Sequence, residues 1–277
     1  MNDYSYLLVG GDTRQKHLYK SLLNKNIKVD SIFLFDENNL SEDLEKISNA
    51  NVIILPIPST ADGTTLFAPL IESKIELAAI IERISKNTIL FIGGDNNIFI
   101  TSKAKKVINV LSDEVMTLKN AMATAEATLA IIIDNTEHTI FGSNILITGY
   151  GRIGKILTDY LIALKANVTV CARSKIARTS AELSGANTIG FDRLKDSLNK
   201  YKIIINTVPM LIFKQEELKN IKSDTLIIDL ASKPGGIDFN AAKYMGLKTI
   251  HALSLPGKYS PQTAAEFIEN AINNTLI

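Results

Sequence analysis

A single cysteine, Cys171, in 277 residues excludes an internal disulfide and a thiolate zinc site. One thiol fits a chain kept in a reducing, cytoplasmic setting. Three histidines, His17, His138 and His251, are scattered, and none pairs with a serine or an acid in a recognisable catalytic pattern. No metal site is expected. No apolar run approaches the roughly 18–20 residues that a membrane span requires. The start, Met1-Asn2-Asp3-Tyr4, has no basic segment ahead of its short apolar stretch, which argues against a signal peptide. A net charge of +1 argues against a generic nucleic-acid binder.

What is present is an ordinary globular balance, 46% hydrophobic and 21% charged, at a length that suits about two domains. Charge divides unevenly between the halves. Residues 1–142 carry 13 Lys/Arg against 18 Asp/Glu, and residues 143–277 carry 17 against 11. An anionic cofactor is therefore expected on the second half.

The first half alternates strands with helices. A strand at 6–9 turns through Gly10-Gly11-Asp12 into a helix reaching about Leu23. Strands follow at 31–35, 52–55, where Pro56-Ile57-Pro58 stops the run, 88–92, before Gly93-Gly94-Asp95, and 107–111; helices are expected at 41–48 and 75–84. This alternation predicts an α/β fold with a doubly wound, flavodoxin-like parallel sheet in a domain of residues 1–112. The apolar stretch 124–133 has no Gly or Pro and reads as a linker helix within 113–142. A second alternation, with strands at 145–148, 168–171, 203–206, 225–230 and 248–251, predicts a second doubly wound domain, 143–258. A closing helix from Pro261, within 259–277, is expected to pack back toward the first domain.

The sharpest local signal is Gly149-Tyr150-Gly151-Arg152-Ile153-Gly154, directly after the strand Asn144-Ile145-Leu146-Ile147-Thr148. Gly149 permits the turn, Gly151 removes a Cβ that would block a pyrophosphate, and Gly154 lets the helix approach the strand. The helix then offers its amino-terminal N–H groups to the anion. An NAD-selective site places an acid about 20 residues on. No carboxylate occurs between Asp159 and Glu182; Arg173 and Ser174 stand there instead, able to grip a 2′-phosphate, so NADP is the expected cofactor. Asn206, Thr207, Val208 and Pro209, at the end of the strand at 203–206, are expected to lie along the cofactor. The run from Asp229 to Gly236 and the Leu255-Pro256-Gly257 loop complete one ligand-binding edge.

At these residues the chain resembles the family of bacterial dipicolinate synthase A subunits, through nearly its whole length. The matching segments include Gly10-Gly11-Asp12-Thr13-Arg14-Gln15, Ile54-Leu55-Pro56, Thr139-Ile140-Phe141-Gly142-Ser143, Ala172-Arg173-Ser174 and Ile205-Asn206-Thr207-Val208-Pro209. The narrowest are Asp229-Leu230-Ala231-Ser232-Lys233-Pro234-Gly235-Gly236-Ile237-Asp238-Phe239 and Leu255-Pro256-Gly257 with Pro261-Gln262-Thr263-Ala264. The resemblance implies an oxidoreductase that converts dihydrodipicolinate to dipicolinate (pyridine-2,6-dicarboxylate) with a nicotinamide cofactor, in the mother cell of a sporulating bacterium. It also implies a partner, the flavoprotein-like B subunit of dipicolinate synthase; self-association is left open. One departure stands out. A Pro-Thr-Ala-Glu-Gly motif of the family reads Ala123-Thr124-Ala125-Glu126-Ala127 here, which leaves Thr124 to cap the linker helix.

The chemistry needs anchors for two carboxylates. Arg14 is the best by type, because guanidinium binds carboxylate bidentately, and the resemblance favours it. Ser59, Thr60 and Asn120 are expected to add hydrogen bonds, with Ser232 and Lys233 facing the substrate from the cofactor domain and the active site in an interdomain cleft. Glu126 and Asp229 are the acid/base candidates, each with a structural reading beside it, and water is an alternative proton acceptor. The rivals are another 2-hydroxy-acid or shikimate-type NADP dehydrogenase, and a non-catalytic cofactor-binding regulatory protein.

Overall fold

The structure, a computed structural model, describes residues 4–35, 40–94 and 96–276; residues 1–3, 36–39, 95 and 277 lie outside them. The chain forms two compact units, Met1–Asn120 with Pro256–Ile277, and Ala121–Leu255. No helix among the described residues is long and apolar enough to cross a membrane.

The first unit runs β1 (Tyr6–Val9), α1 (Thr13–Asn24), β2 (Val29–Ile32), α2 (Leu40–Asn49), β3 (Val52–Ile54), α3 (Leu77–Ile81), β4 (Ile89–Ile92) and β5 (Lys106–Asn109). Every pairing is parallel, in the order β2-β1-β3-β4-β5. Alternation along the strands divides the core, since successive side chains point to opposite faces. Leu7, Val9, Ile53, Leu90 and Ile92 pack with Leu44 and Ile47 of α2 and Leu77 and Ile80 of α3. Leu8, Val52, Ile54 and Phe91 pack with Leu18 and Leu22 of α1.

The second unit follows α4 (Glu114–Asn135), which starts in the first. It runs β6 (Asn144–Thr148), α5 (Arg152–Ala163), β7 (Asn167–Cys171), α6 (Lys175–Leu183), β8 (Asn187–Ile189), α7 (Leu194–Ser197), β9 (Ile203–Asn206), α8 (Gln215–Leu218), β10 (Leu226–Asp229), α9 (Phe239–Tyr244) and β11 (Lys248–His251). Its parallel sheet has the order β11-β10-β9-β6-β7-β8, the Rossmann arrangement. Ile145, Ile147, Val168, Val170, Ile203 and Ile205 face α4 and α5; Leu146, Cys171, Ile204 and Ile227 face Phe213, Leu218 and Ala242.

The chain then returns to the first unit through α10 (Leu255–Tyr259) and α11 (Pro261–Leu276). Ala265, Ile268, Ala271 and Ile272 of α11 join α1 on its face of the first sheet. Burying Ile268 and Ile272 contributes about 1.5–3 kcal/mol each. Glu269, also buried, accepts from Ser21 Oγ at 2.7 Å and pairs with Lys25 Nζ at 2.6 Å.

Several elements differ from the sequence-based expectation. The linker helix begins ten residues before Thr124, capped by Asp113, whose Oδ1 accepts from Met116 N at 2.9 Å. Thr124 lies inside the helix with its carbonyl bonded to Thr128 Oγ1, and so caps nothing. The second strand ends at Ile32 and not at 35, because Phe33 takes a positive φ of 57°. Leu255-Pro256-Gly257 is helical and not a loop, since proline is tolerated in a first helical turn. Strand β8 was not expected; Asn187-Thr188-Ile189 is too short and too polar to carry a pattern.

Candidate functional site

The carboxyl edge of the second sheet is built around the turn between β6 and α5. Gly149 has φ +93° and donates to Cys171 O at 2.9 Å. A Cβ on Gly149 would lie 2.9 Å from Val208 Cγ2, and one on Gly154 would run into the carbonyl of Gly149. Only glycine suits either position. Gly151 is different: a Cβ there would meet nothing within 4 Å, so this glycine opens the space in front of α5. It is also the N-cap of that 12-residue helix and supplies no side-chain acceptor. The amino-terminal N–H groups of α5 thus face an open cradle that fits a pyrophosphate. Arg152 and Ile153 form its first turn, and Thr207 Oγ1, bonded to Thr148 O at 2.8 Å, closes one side.

Three fully buried polar side chains lie behind this cradle. Thr148 Oγ1 donates to Asn206 Oδ1 at 2.6 Å, and Asn206 Nδ2 donates to Asp229 Oδ1 at 2.7 Å. Asp229 further accepts from Ala231 N at 3.1 Å and Gly236 N at 2.8 Å. Asn206 also binds the backbone of Val208 in both directions, at 3.0 and 3.2 Å. This chain of bonds ties the ends of β6, β9 and β10 to the loops that follow them. Asp229 is thus enclosed by three donors that tie it to the loop after β10. Asn206 was expected along the cofactor and not in a buried network, and Thr148 only as the end of its strand. The signal lay in polar residues ending otherwise apolar strands. Gly236 permits the close approach: a Cβ there would sit 3.0 Å from Val208 O and 2.7 Å from Asn206 Cγ. Ser232, Lys233 and, on its own loop, Pro209 are exposed at this edge.

Past β7 the chain emerges at Arg173 and Ser174, both exposed. Ser174 caps α6, accepting from Ala177 N at 3.5 Å. Arg178 Nη1 donates to Ala172 O at 2.7 Å and Arg173 O at 2.9 Å, so Arg178 fixes the segment that carries Arg173. Desolvation by burial pushes the Cys171 thiol up to about 12, which removes it as a nucleophile.

In the first unit Asp12 caps α1 and also holds Arg14. The guanidinium meets the carboxylate through Nε at 2.9 and 3.1 Å and through Nη2 at 2.8 Å, and Nη2 donates as well to Ile57 O. Arg14 is buried, not a surface helix residue. The hydroxyls expected to serve substrate are used internally. Ser59 Oγ donates to Pro56 O at 3.1 Å and accepts from Gly93 N at 2.9 Å. Thr60 Oγ1 donates to Asp62 Oδ1 and accepts from Gly63 N in a local turn. Asn120 and Glu126 both lie on α4, half-buried and exposed respectively.

Comparison with known proteins agrees with this division. Residues 5–113 match the family described as the N-terminal domain of the dipicolinate synthase A subunit, and residues 115–235 match the NAD binding domain of D-isomer specific 2-hydroxyacid dehydrogenases. The dipicolinate synthase A subunit of Bacillus subtilis is 29% identical over 97% of this chain and 94% of its own length. The crystal structure of the dipicolinate synthase A subunit from Bacillus halodurans superposes with a TM-score of 0.88 at 26% identity, covering 99% of this chain and 98% of the other. A shikimate dehydrogenase (NADP(+)) of Methanococcus maripaludis is 29% identical over 42% of this chain and 46% of its own.

Proposed function

We propose that the chain belongs to the family of dipicolinate synthase A subunits and oxidises dihydrodipicolinate to dipicolinate with NADP. An oxidoreductase role in dipicolinate synthesis is what the full-length relative and the dehydrogenase-type second unit have in common. The observation that carries the reading is the open cradle at Gly151, at the amino end of α5 in a Rossmann-ordered sheet.

A bound NADP would supply the hydride acceptor for the dihydropyridine ring, whose second hydrogen would leave as a proton. Gly151, Arg152, Ile153 and Gly154 would hold the pyrophosphate through backbone N–H groups, on the turn that Gly149 permits. Thr207, Val208 and Pro209 line the cofactor's course. Arg173 meets the 2′-phosphate, with Ser174 beside it. Ser232 and Lys233 stand on the loop that Asp229 anchors and face the reacting ring. Aromatisation favours the reaction, so the residues serve mainly to position donor and acceptor. The proton passes to water.

The test is NADPH formation when dihydrodipicolinate is added to the purified chain, alone and with the flavoprotein-like partner. Reduction in either case supports the reading. Reduction with shikimate or a 2-hydroxy acid but not with dihydrodipicolinate would replace it with one of the rival dehydrogenases. No reduction with any substrate, despite tight cofactor binding, would leave a regulatory protein. The flavoprotein-like partner is expected to co-purify when both chains are expressed. Full activity without a detectable complex removes the partner.

A further inference from the structure

We infer that the first unit carries its own ligand site, at the carboxyl edge between β1 and β3, and that Gln15 there donates to a carboxylate of a small anionic ligand. The inference rests on the dicarboxylate reading above and adds a residue that it does not contain.

In the order β2-β1-β3-β4-β5 the chain leaves β1 toward one edge and β3 toward the other, so the gap above these two strands is the switch point of the sheet. Open α/β sheets bind their ligands at such a point. The flanking loops are Gly10-Gly11-Asp12 and residues 55–60, and Arg14 Nη2 joins them by donating to Ile57 O. The amino end of the 12-residue α1 opens here as well.

Gln15 supplies the independent observation. It is 2% exposed, yet its Nε2 is a buried donor without a partner. Its side chain folds back over the turn: a Cβ on Gly11 would fall on Gln15 Cγ and lie 2.9 Å from Gln15 Cβ. Gly11, at φ +107°, leaves the room that this placement needs. A buried donor calls for an acceptor. The neighbouring Arg14 has Nε and Nη2 held by Asp12. Gly257 of α10 backs that pair, since a Cβ there would sit 2.7 Å from Asp12 Oδ2 and 2.8 Å from Arg14 Nε. Asp12 offsets the charge of Arg14, so a single carboxylate suits the remaining donors better than a phosphate dianion does.

The test titrates dipicolinate into the full chain by calorimetry, for the unmutated protein, Gln15→Met and Gln15→Glu. Gln15→Met keeps the length and removes the donor. It should weaken dipicolinate binding by at least about tenfold, the loss of one hydrogen bond to a charged group, while leaving NADP affinity unchanged. Its Tm should stay level or rise, because the unmet donor is gone; a merely structural amide would lower the Tm and spare the affinity. Gln15→Glu should weaken binding further through like charge. Unchanged dipicolinate affinity in Gln15→Met overturns the inference. Should the variants fail to fold, the ligand can be varied instead on the unmutated chain. Pyridine-2,6-dimethanol, a neutral isostere, should not compete with dipicolinate, and inorganic phosphate should compete weakly. Equal competition by either overturns the carboxylate assignment. Turnover retained with unaltered Gln15→Met affinity sinks this inference alone. Absence of both turnover and dipicolinate binding in the unmutated chain, with the flavoprotein-like partner present, sinks the proposed function beneath it.

Discussion

Asp229→Asn distinguishes a carboxylate that holds a loop from one that moves protons. The carboxylate is fully buried and accepts three hydrogen bonds, two at Oδ1 from Asn206 Nδ2 and Ala231 N and one at Oδ2 from Gly236 N. An amide can preserve acceptors on one side only. The better orientation keeps oxygen toward Asn206 and Ala231 and sets NH₂ against the Gly236 N–H, donor against donor. One charge-assisted bond, worth about 1.5–3 kcal/mol, is lost, and a buried donor without an acceptor costs about 1–3 kcal/mol more. The two surviving bonds weaken as the charge disappears. The amide carries no burial penalty for a charge, which offsets part of this loss. The net destabilisation comes to about 2–4 kcal/mol, enough to lower the melting temperature of a unit this size by roughly 6–12 °C. Calorimetric unfolding checks the value. The loop from Ala231 to Gly236 should loosen with it, so NADP binding should weaken as well. A melting temperature within about 2 °C of the unmutated chain, with turnover abolished, would refute the structural role and return Asp229 to the chemistry.

Arg173→Asp should reverse the cofactor preference. The unmutated chain is expected to prefer NADP over NAD by at least about tenfold, the ratio that 1.4 kcal/mol gives once solvent at the exposed site reduces a charge-assisted bond to its lower range. Binding titrations of both cofactors decide it; equal affinity makes Arg173 a solvated loop residue. Cys171, its thiol pushed up to about 12 by burial, stays protonated through neutral and mildly alkaline pH, because a raised value keeps the neutral form below it. A thiol reagent at pH 8 should label the unfolded chain and spare the folded one. Rapid stoichiometric labelling of the folded chain would contradict the burial.

The sequence by itself determined both sheets, apart from the short edge strand β8, and the cofactor turn. Parallel strands buried on both faces are nearly continuous apolar runs, and those runs are contiguous in the chain. The glycines of the 149–154 turn are likewise contiguous, and each answers a local backbone demand, so their spacing could be read directly. Tertiary structure alone decided what polar groups do once buried. Ser59 and Thr60 were legible as hydroxyls, but their spending on Pro56, Gly93 and Asp62 depends on loops returning from another strand or closing on themselves. The two readings of Asp229, acid/base and structural, stood side by side in the sequence because its three donors come from residues 206, 231 and 236, and the first is 23 positions away. Helix boundaries failed where a side chain competed: Asp113 outbid Thr124 because helix, once nucleated, propagates through residues that lack a breaker. Gln15 marks the limit of sequence reading. An amide one turn into a helix looks like any surface residue. Only the sheet order, which brings β1 beside β3 and folds Gln15 over Gly11, turns it into a buried donor with its hydrogen bond still to make.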